Sequence, residues 1–161
     1  AKPKRPFPFA LFDPSKKAAA EMVYYALLVG AELDGLTNLQ PSGGCDDPSF
    51  PYYLKCKLCG RDGTIVMIPG QGTPLTIEQS QKEEKTCLMV FDCRGYEPVE
   101  FSFGAGWKAE SVHGTPFEID CSEDEFSEYD EKGECPVELS KLQSTFKVVK
   151  KHEKGGKIRF V

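Results

Sequence analysis

Between Met22 and Leu33 the chain reads Met-Val-Tyr-Tyr-Ala-Leu-Leu-Val-Gly-Ala-Glu-Leu, a run rich in β-branched and aromatic residues. Val23, Tyr25, Leu27, Val29, Ala31 and Leu33 fall on one face at a period of two, which predicts a long strand with that face turned to a core. Asp34-Gly35 breaks the run, and Pro41 through Pro51, with Gly43, Gly44 and Pro48 between, reads as a loop. Shorter strands are expected at Tyr52 to Lys55, Thr64 to Ile68, Leu88 to Cys93, Val99 to Phe103 and Ser144 to Lys150. Gly70, Gly72, Gly95, Gly104, Gly106 and Gly114 punctuate them, and no stretch of about 12 residues keeps a helical period. The expectation is an all-β fold, a single-domain antiparallel sandwich or barrel over residues 22–161 with no internal repeat.

Composition narrows what such a domain does. With 28% charged and 40% hydrophobic residues in 161, the chain suits one ordinary domain and is neither collagen-like nor a helical membrane protein. No stretch approaches the roughly 18 apolar residues of a membrane helix. Lys and Arg total 20 against 25 Asp and Glu, a net charge of -5, which gives no electrostatic case for nucleic acid. Residues 1–21 differ from the rest: Lys2, Lys4, Arg5, Lys16 and Lys17 stand against Asp13 and Glu21, among Pro3, Pro6, Pro8 and Pro14. This segment reads as a disordered basic tail, without the apolar core of a signal peptide or the helix of a transit peptide. Met22 stands directly before the first strand, and the expectation is that the tail is a translated leader or an added sequence rather than part of the working protein. Without its five basic and two acidic residues the domain holds 15 and 23, a charge of -8. Seven cysteines, an odd number with no secretory signal ahead of them, fit a reduced compartment, cytoplasmic or nuclear.

The sharpest local chemistry is Leu54-Lys-Cys-Lys-Leu-Cys-Gly-Arg61. Cys56 and Cys59 form a Cys-x-x-Cys turn whose sulfurs converge on one ion, with Gly60 allowing the backbone to reverse behind them. This is a zinc knuckle by shape, but a structural zinc takes four donors and one knuckle gives two. Cys87 and Cys93 lie in one predicted strand, roughly 20 Å apart at about 3.3 Å per residue. His113 and His152 read as isolated, and Cys45, Cys121 and Cys135 as free thiols. A redox dithiol belongs at a helix start, and here Gly63 and a β-branched run follow. Neither a nucleophile elbow nor a phosphate loop is present, Gly104-Ala-Gly-Trp107 reading as a bulge or turn.

Two further segments stand out. Residues 118–134 hold nine acids and one base, Lys132, and read as a solvated loop or short helical turn that does not match a calcium loop. In Arg94-Gly-Tyr-Glu-Pro-Val99, Gly95 suits a sharp turn and Pro98 limits ladder bonding. Arg94 and Glu97 flank that turn, as a salt bridge or as an interaction surface.

Phe91-Asp-Cys-Arg-Gly-Tyr-Glu-Pro-Val-Glu-Phe101, then Gly104-Ala-Gly-Trp107, Gly114-Thr-Pro-Phe117 and Glu128-Tyr-Asp-Glu-Lys132, in this order, closely resemble the eukaryotic CXXC-motif-containing zinc-binding protein family. Leu33-Asp-Gly-Leu-Thr-Asn-Leu39 and Cys56-Lys-Leu-Cys-Gly-Arg61 resemble it too, so that the resemblance covers nearly everything from Met22 onward. It implies a small all-β protein with two Cys-x-x-Cys knuckles forming a four-cysteine zinc site, of undefined molecular role and without catalytic residues. Cys56 and Cys59 match the second knuckle. The first is missing: Lys55 abuts Cys56 where family members insert a knuckle and a hairpin-length segment, which implies a block absent between these two residues. The resulting expectation is a non-enzymatic zinc-binding module with structural zinc, a protein partner and no membrane. The rival readings are an adaptor that docks a basic partner through residues 118–134, and a thiol redox or metal-transfer protein using Cys56 and Cys59.

Overall fold

The strand β1 (Met22–Asp34) holds the centre of a five-stranded sheet. The computed structural model of the protein describes residues 22–58 and 63–161; the tail 1–21, Cys59 and Gly60 lie outside the described residues. Along one edge β1 pairs antiparallel with β5 (Thr86–Arg94), from Met22 opposite Arg94 to Val29 opposite Thr86. Along the other it pairs with β10 (Cys135–Val149), from Tyr24 opposite Val149 to Asp34 opposite Glu138. β4 (Thr64–Ile68) extends the sheet beyond β5, and β9 (Phe126–Asp130) beyond β10.

Both faces of β1 are covered. Leu27, Val29, Ala31 and Leu33, with Tyr25 against them, enter the main core, as the period-two reading requires. Ala26 and the neighbouring Tyr24 and Leu28 turn to the opposite face, where a smaller cluster gathers Val90 and Val149. A hairpin of β11 (Lys151–Lys154) and β12 (Lys157–Phe160) covers that cluster, its Phe160 ring edge-on to Tyr24 at 4.9 Å.

The main core is closed by smaller antiparallel sheets. One joins β2 (Leu36–Pro41), β7 (Trp107–Ser111) and β8 (Pro116–Ile119). The other pairs β3 (Tyr53–Leu58) with β6 (Tyr96–Ser102). Trp107 is fully buried, with Phe50, Phe101 and Phe103 packed around it, the nearest centroid at 5.3 Å. Its indole N–H donates to the Phe103 carbonyl at 2.8 Å, so its one polar atom is satisfied inside the core. A helical turn, α1 (Ile77–Gln81), is opened by a capping box between Thr76 and Gln79.

Every predicted strand is present, and several extend beyond the predicted limits. The acidic segment is corrected: Phe126 to Asp130 is strand β9, paired with β10, and Asp130 is fully buried. Its acidic residues Glu128 and Asp130 lie on an edge strand whose ladder supplies the order that composition does not indicate. Gly95 holds the β5–β6 turn at φ 77°, a conformation that favours glycine. Across β3 and β6 the register slips, Lys55 facing Glu100 and Cys56 facing Pro98, so Val99 is the extra residue of a bulge beside a proline that lacks a donor.

Leu27 has no solvent exposure and lies on the strand that pairs along both edges. Leu27→Ala should destabilise the fold by about 2–5 kcal/mol, read as a lower midpoint in chemical denaturation; a shift within error would show that the main core does not rest on β1.

Candidate metal centre

Cys56 is half-buried on β3, at the bulge opposite Pro98. Burial pushes its thiol above the ordinary value. Behind it stands Cys93, fully buried on β5, its thiol pushed up to about 12 chiefly by burial and further by nearby Cys56 and by Asp92. Sequence spacing pairs Cys56 with Cys59 and gives no sign of Cys93, whose approach comes from β3 folding against the sheet. The described residues do not assemble four thiolates around Cys56, and Cys59 lies outside them. Cys87 and Cys93 share the one strand β5. Cys45 is pushed up to about 11 by burial first, then by Asp46 and Cys87, and Cys121 to about 12 by burial and then by Asp120.

Arg94 and Glu97 are both exposed at the β5–β6 turn, but the expected ion pair between them is not formed. The Arg94 guanidinium instead meets Asp92 at 3.4 Å and Met22 Sδ at 3.3 Å. Residues 92 and 94 share a face of β5 and Met22 faces Arg94 across the ladder, whereas Glu97 lies beyond the turn opposite Lys57 of β3. With Arg94 about half exposed, the Asp92 pair contributes about 0–1 kcal/mol.

A second grouping was not legible from spacing. Asp130, at the end of β9, accepts hydrogen bonds at Oδ1 from the Thr115 hydroxyl at 2.5 Å and the Lys132 amide at 3.1 Å. It thereby ties the β7–β8 turn to the β9–β10 turn. Thr115 foremost, with Ser111 and the Gly133 and Lys132 amides also directed at it, holds its carboxyl below the usual range against the opposing effect of burial. His113, read from sequence as isolated, lies against this carboxylate and Cys135. The signal available was the short distance from Asp130 to Cys135 across a turn, but His113 enters only through packing.

A polar groove between α1, β1 and β10 is lined by Glu32, Ser80, Glu83, Lys85 and Lys141 among others. Its hydroxyl is already engaged: Ser80 Oγ donates to the Ala31 carbonyl and accepts from the Leu33 amide, both at 2.8 Å, beside the bulge between Gly30 and Glu32. The groove holds Ser80 as a brace for β1 and offers no activated nucleophile.

Residues 52–147 match the sequence profile of the CXXC motif containing zinc binding protein, eukaryotic. A UPF0587 protein of Caenorhabditis elegans is 40% identical over 171 residues, covering 83% of this chain and 99% of that protein. A CXXC motif containing zinc binding protein of Homo sapiens is 36% identical over 159 residues, covering 75% and 96%. The match to a UPF0587 protein of Drosophila melanogaster, 38% identical over 104 residues, spans 63% of each chain and so less than two thirds of that relative. Among solved structures, the crystal structure of C1orf123 superposes with a TM-score of 0.70 at 26% identity, covering 78% of this chain and 99% of that one.

The raised thiols of Cys45, Cys93 and Cys121 carry a pH signature. A thiol whose folded pKa exceeds its unfolded value of about 8.5 stabilises fully below that pH and loses the contribution as pH rises towards the folded value. The denaturation midpoint should therefore fall between neutral pH and about pH 10, and Cys93→Ala with Cys121→Ala should flatten that slope. An unchanged slope in the double variant would show that these thiols are not the titrating groups.

Proposed function

The chain belongs to the eukaryotic CXXC motif containing zinc binding protein family, and on that premise we propose that it is a non-enzymatic zinc-binding module whose zinc serves structure. Cys56 and Cys59 are the ligands, and the observation that carries the reading is the position of Cys56. It sits half-buried on β3, opposite the bulge in β6, where a thiolate–metal bond would fix the β3–β4 connection to the core. When bound, zinc supplies a closed cross-link between thiolates, and a thiolate shell leaves no position for a reacting water.

The knuckle alone does not satisfy that ion. It offers two donors of four, so the site as this sequence presents it is a half-site. The family resemblance puts the other two donors in a first Cys-x-x-Cys ahead of Cys56, where this sequence runs from Lys55 directly into the second. The module acts through a protein partner, in the cytoplasm or nucleus, without nucleic acid or membrane; the domain's acidic balance supports the exclusion of nucleic acid.

Zinc should protect Cys56 and Cys59 from alkylation, measured peptide by peptide by mass spectrometry. Inserting a second Cys-x-x-Cys segment between Lys55 and Cys56 should raise zinc affinity more than about tenfold, since each 1.4 kcal/mol gives that factor. Equal alkylation of both cysteines with and without zinc, in the chain carrying the inserted segment, would sink the assignment.

A further inference from the structure

We propose that His113, Asp130 and Cys135 form a second metal site, for a borderline transition ion of the zinc class, separate from Cys56 and Cys59. One donor atom from each residue lies within 4.8 Å of the others. The three converge for structural reasons. Asp130 and Cys135 face each other across the β9–β10 ladder, so their side chains leave the sheet on the same side. His113 sits in the β7–β8 turn, which Thr115 fastens to Asp130.

The observation that points to a ligand is Asp130 Oδ2. Asp130 has no solvent exposure, and Oδ2 has no hydrogen-bond partner among the described residues. Oδ1 takes both Thr115 and Lys132, and the Ser111 hydroxyl and Gly133 amide are directed at the carboxylate without closing a hydrogen bond on Oδ2. No ion pair closes on Asp130 among the described residues either. A buried carboxylate oxygen without a donor is costly, and a cation at this point removes the cost.

Gly133 lets His113 approach Asp130 closely. A Cβ placed there would come 2.1 Å from His113 Cδ2, 2.7 Å from His113 Nε2 and 2.8 Å from Asp130 Oδ2. The imidazole and the orphan oxygen therefore both pack against this residue at a distance that only a glycine allows. Donors bound to zinc at about 2.0–2.3 Å stand about 3.3–3.8 Å apart in a tetrahedron, so the cluster closes by roughly 1 Å on binding. His113 is exposed and Cys135 half-buried, and these two side chains are free to make that movement while Asp130 stays fixed.

The donor set selects the ion. Imidazole and thiolate favour zinc, cobalt or copper over magnesium or calcium, which take all-oxygen shells. Glu128, Glu131 and Glu134 nearby in sequence favour a cation, with Lys132 the one base opposing them. The exposed side of His113 leaves a fourth position for water, unlike a closed four-cysteine site.

The test uses the full chain carrying Cys56→Ser and Cys59→Ser, stripped with chelator and titrated with cobalt(II). One equivalent should bind with a sulfur-to-cobalt charge-transfer band in the near ultraviolet. Cys135→Ser should abolish the band, and His113→Ala, at an exposed position that leaves the fold intact, should weaken binding. Gly133→Ala should do the same by pushing the imidazole away from Asp130. Absence of a thiolate band in the starting variant, or a band unmoved by Cys135→Ser and His113→Ala in protein with native circular dichroism, would overturn the proposal. Failure of the knuckle reading shows in the Cys56 and Cys59 peptides and leaves this band untouched, so the two outcomes separate.

Discussion

The fold depends on the double confinement of β1. Its backbone bonds along both edges, to β5 and β10, and its side chains are buried on both faces, in the main core and in the cluster beneath the C-terminal hairpin. A strand held this way has one register available, because a slip by one residue would exchange the Leu27 and Val29 face for the Tyr24 and Ala26 face. The irregularities are accommodated in its partners. β5 carries an extra residue near Leu88, and β10 carries one near Lys141, which adopts φ 54° and pairs with Glu32 at 3.0 Å.

From this centre the placement of both proposed metal sites follows. β5 runs from β1 through the Gly95 turn into β6, and β6 holds β3, so Cys56 comes to rest near Cys93. On the other side, β10 begins at Cys135 and pairs with β9, which delivers Asp130 to the same end. The two groupings lie on opposite flanks of β1, and they differ in chemistry: sulfur with sulfur on one side, sulfur with nitrogen and carboxylate on the other. The first is suited to a closed structural ion and the second to an ion that keeps a water.

Burial also divides the cysteines. Cys45, Cys93 and Cys121 behave as small apolar side chains in the main core, their ionisation opposed by desolvation. Cys56, Cys87 and Cys135 are half-buried, and the two proposed sites use Cys56 and Cys135. The count of seven cysteines carries no information about this division; position relative to the core does.

The long strand, its buried face and the other predicted strands were legible in the sequence because period-two alternation and glycine punctuation are local signals. Cys56 and Cys59 stand out for the same reason, being three residues apart, although Cys59 lies outside the described residues. β9 escaped detection because an acidic edge strand takes its order from the ladder with β10 rather than from its own residues. The pairing of Arg94 was misplaced because sequence proximity favours Glu97, whereas alternation along β5 places Asp92 beside it. His113, Asp130 and Cys135 are joined by two separate turns, and their meeting depends on one hydrogen bond between Thr115 and Asp130 that no spacing rule encodes. The sequence by itself determined the class of fold and the spacing of Cys56 and Cys59; only the tertiary structure decided which distant donors come together, because convergence of side chains from different hairpins is set by long-range packing.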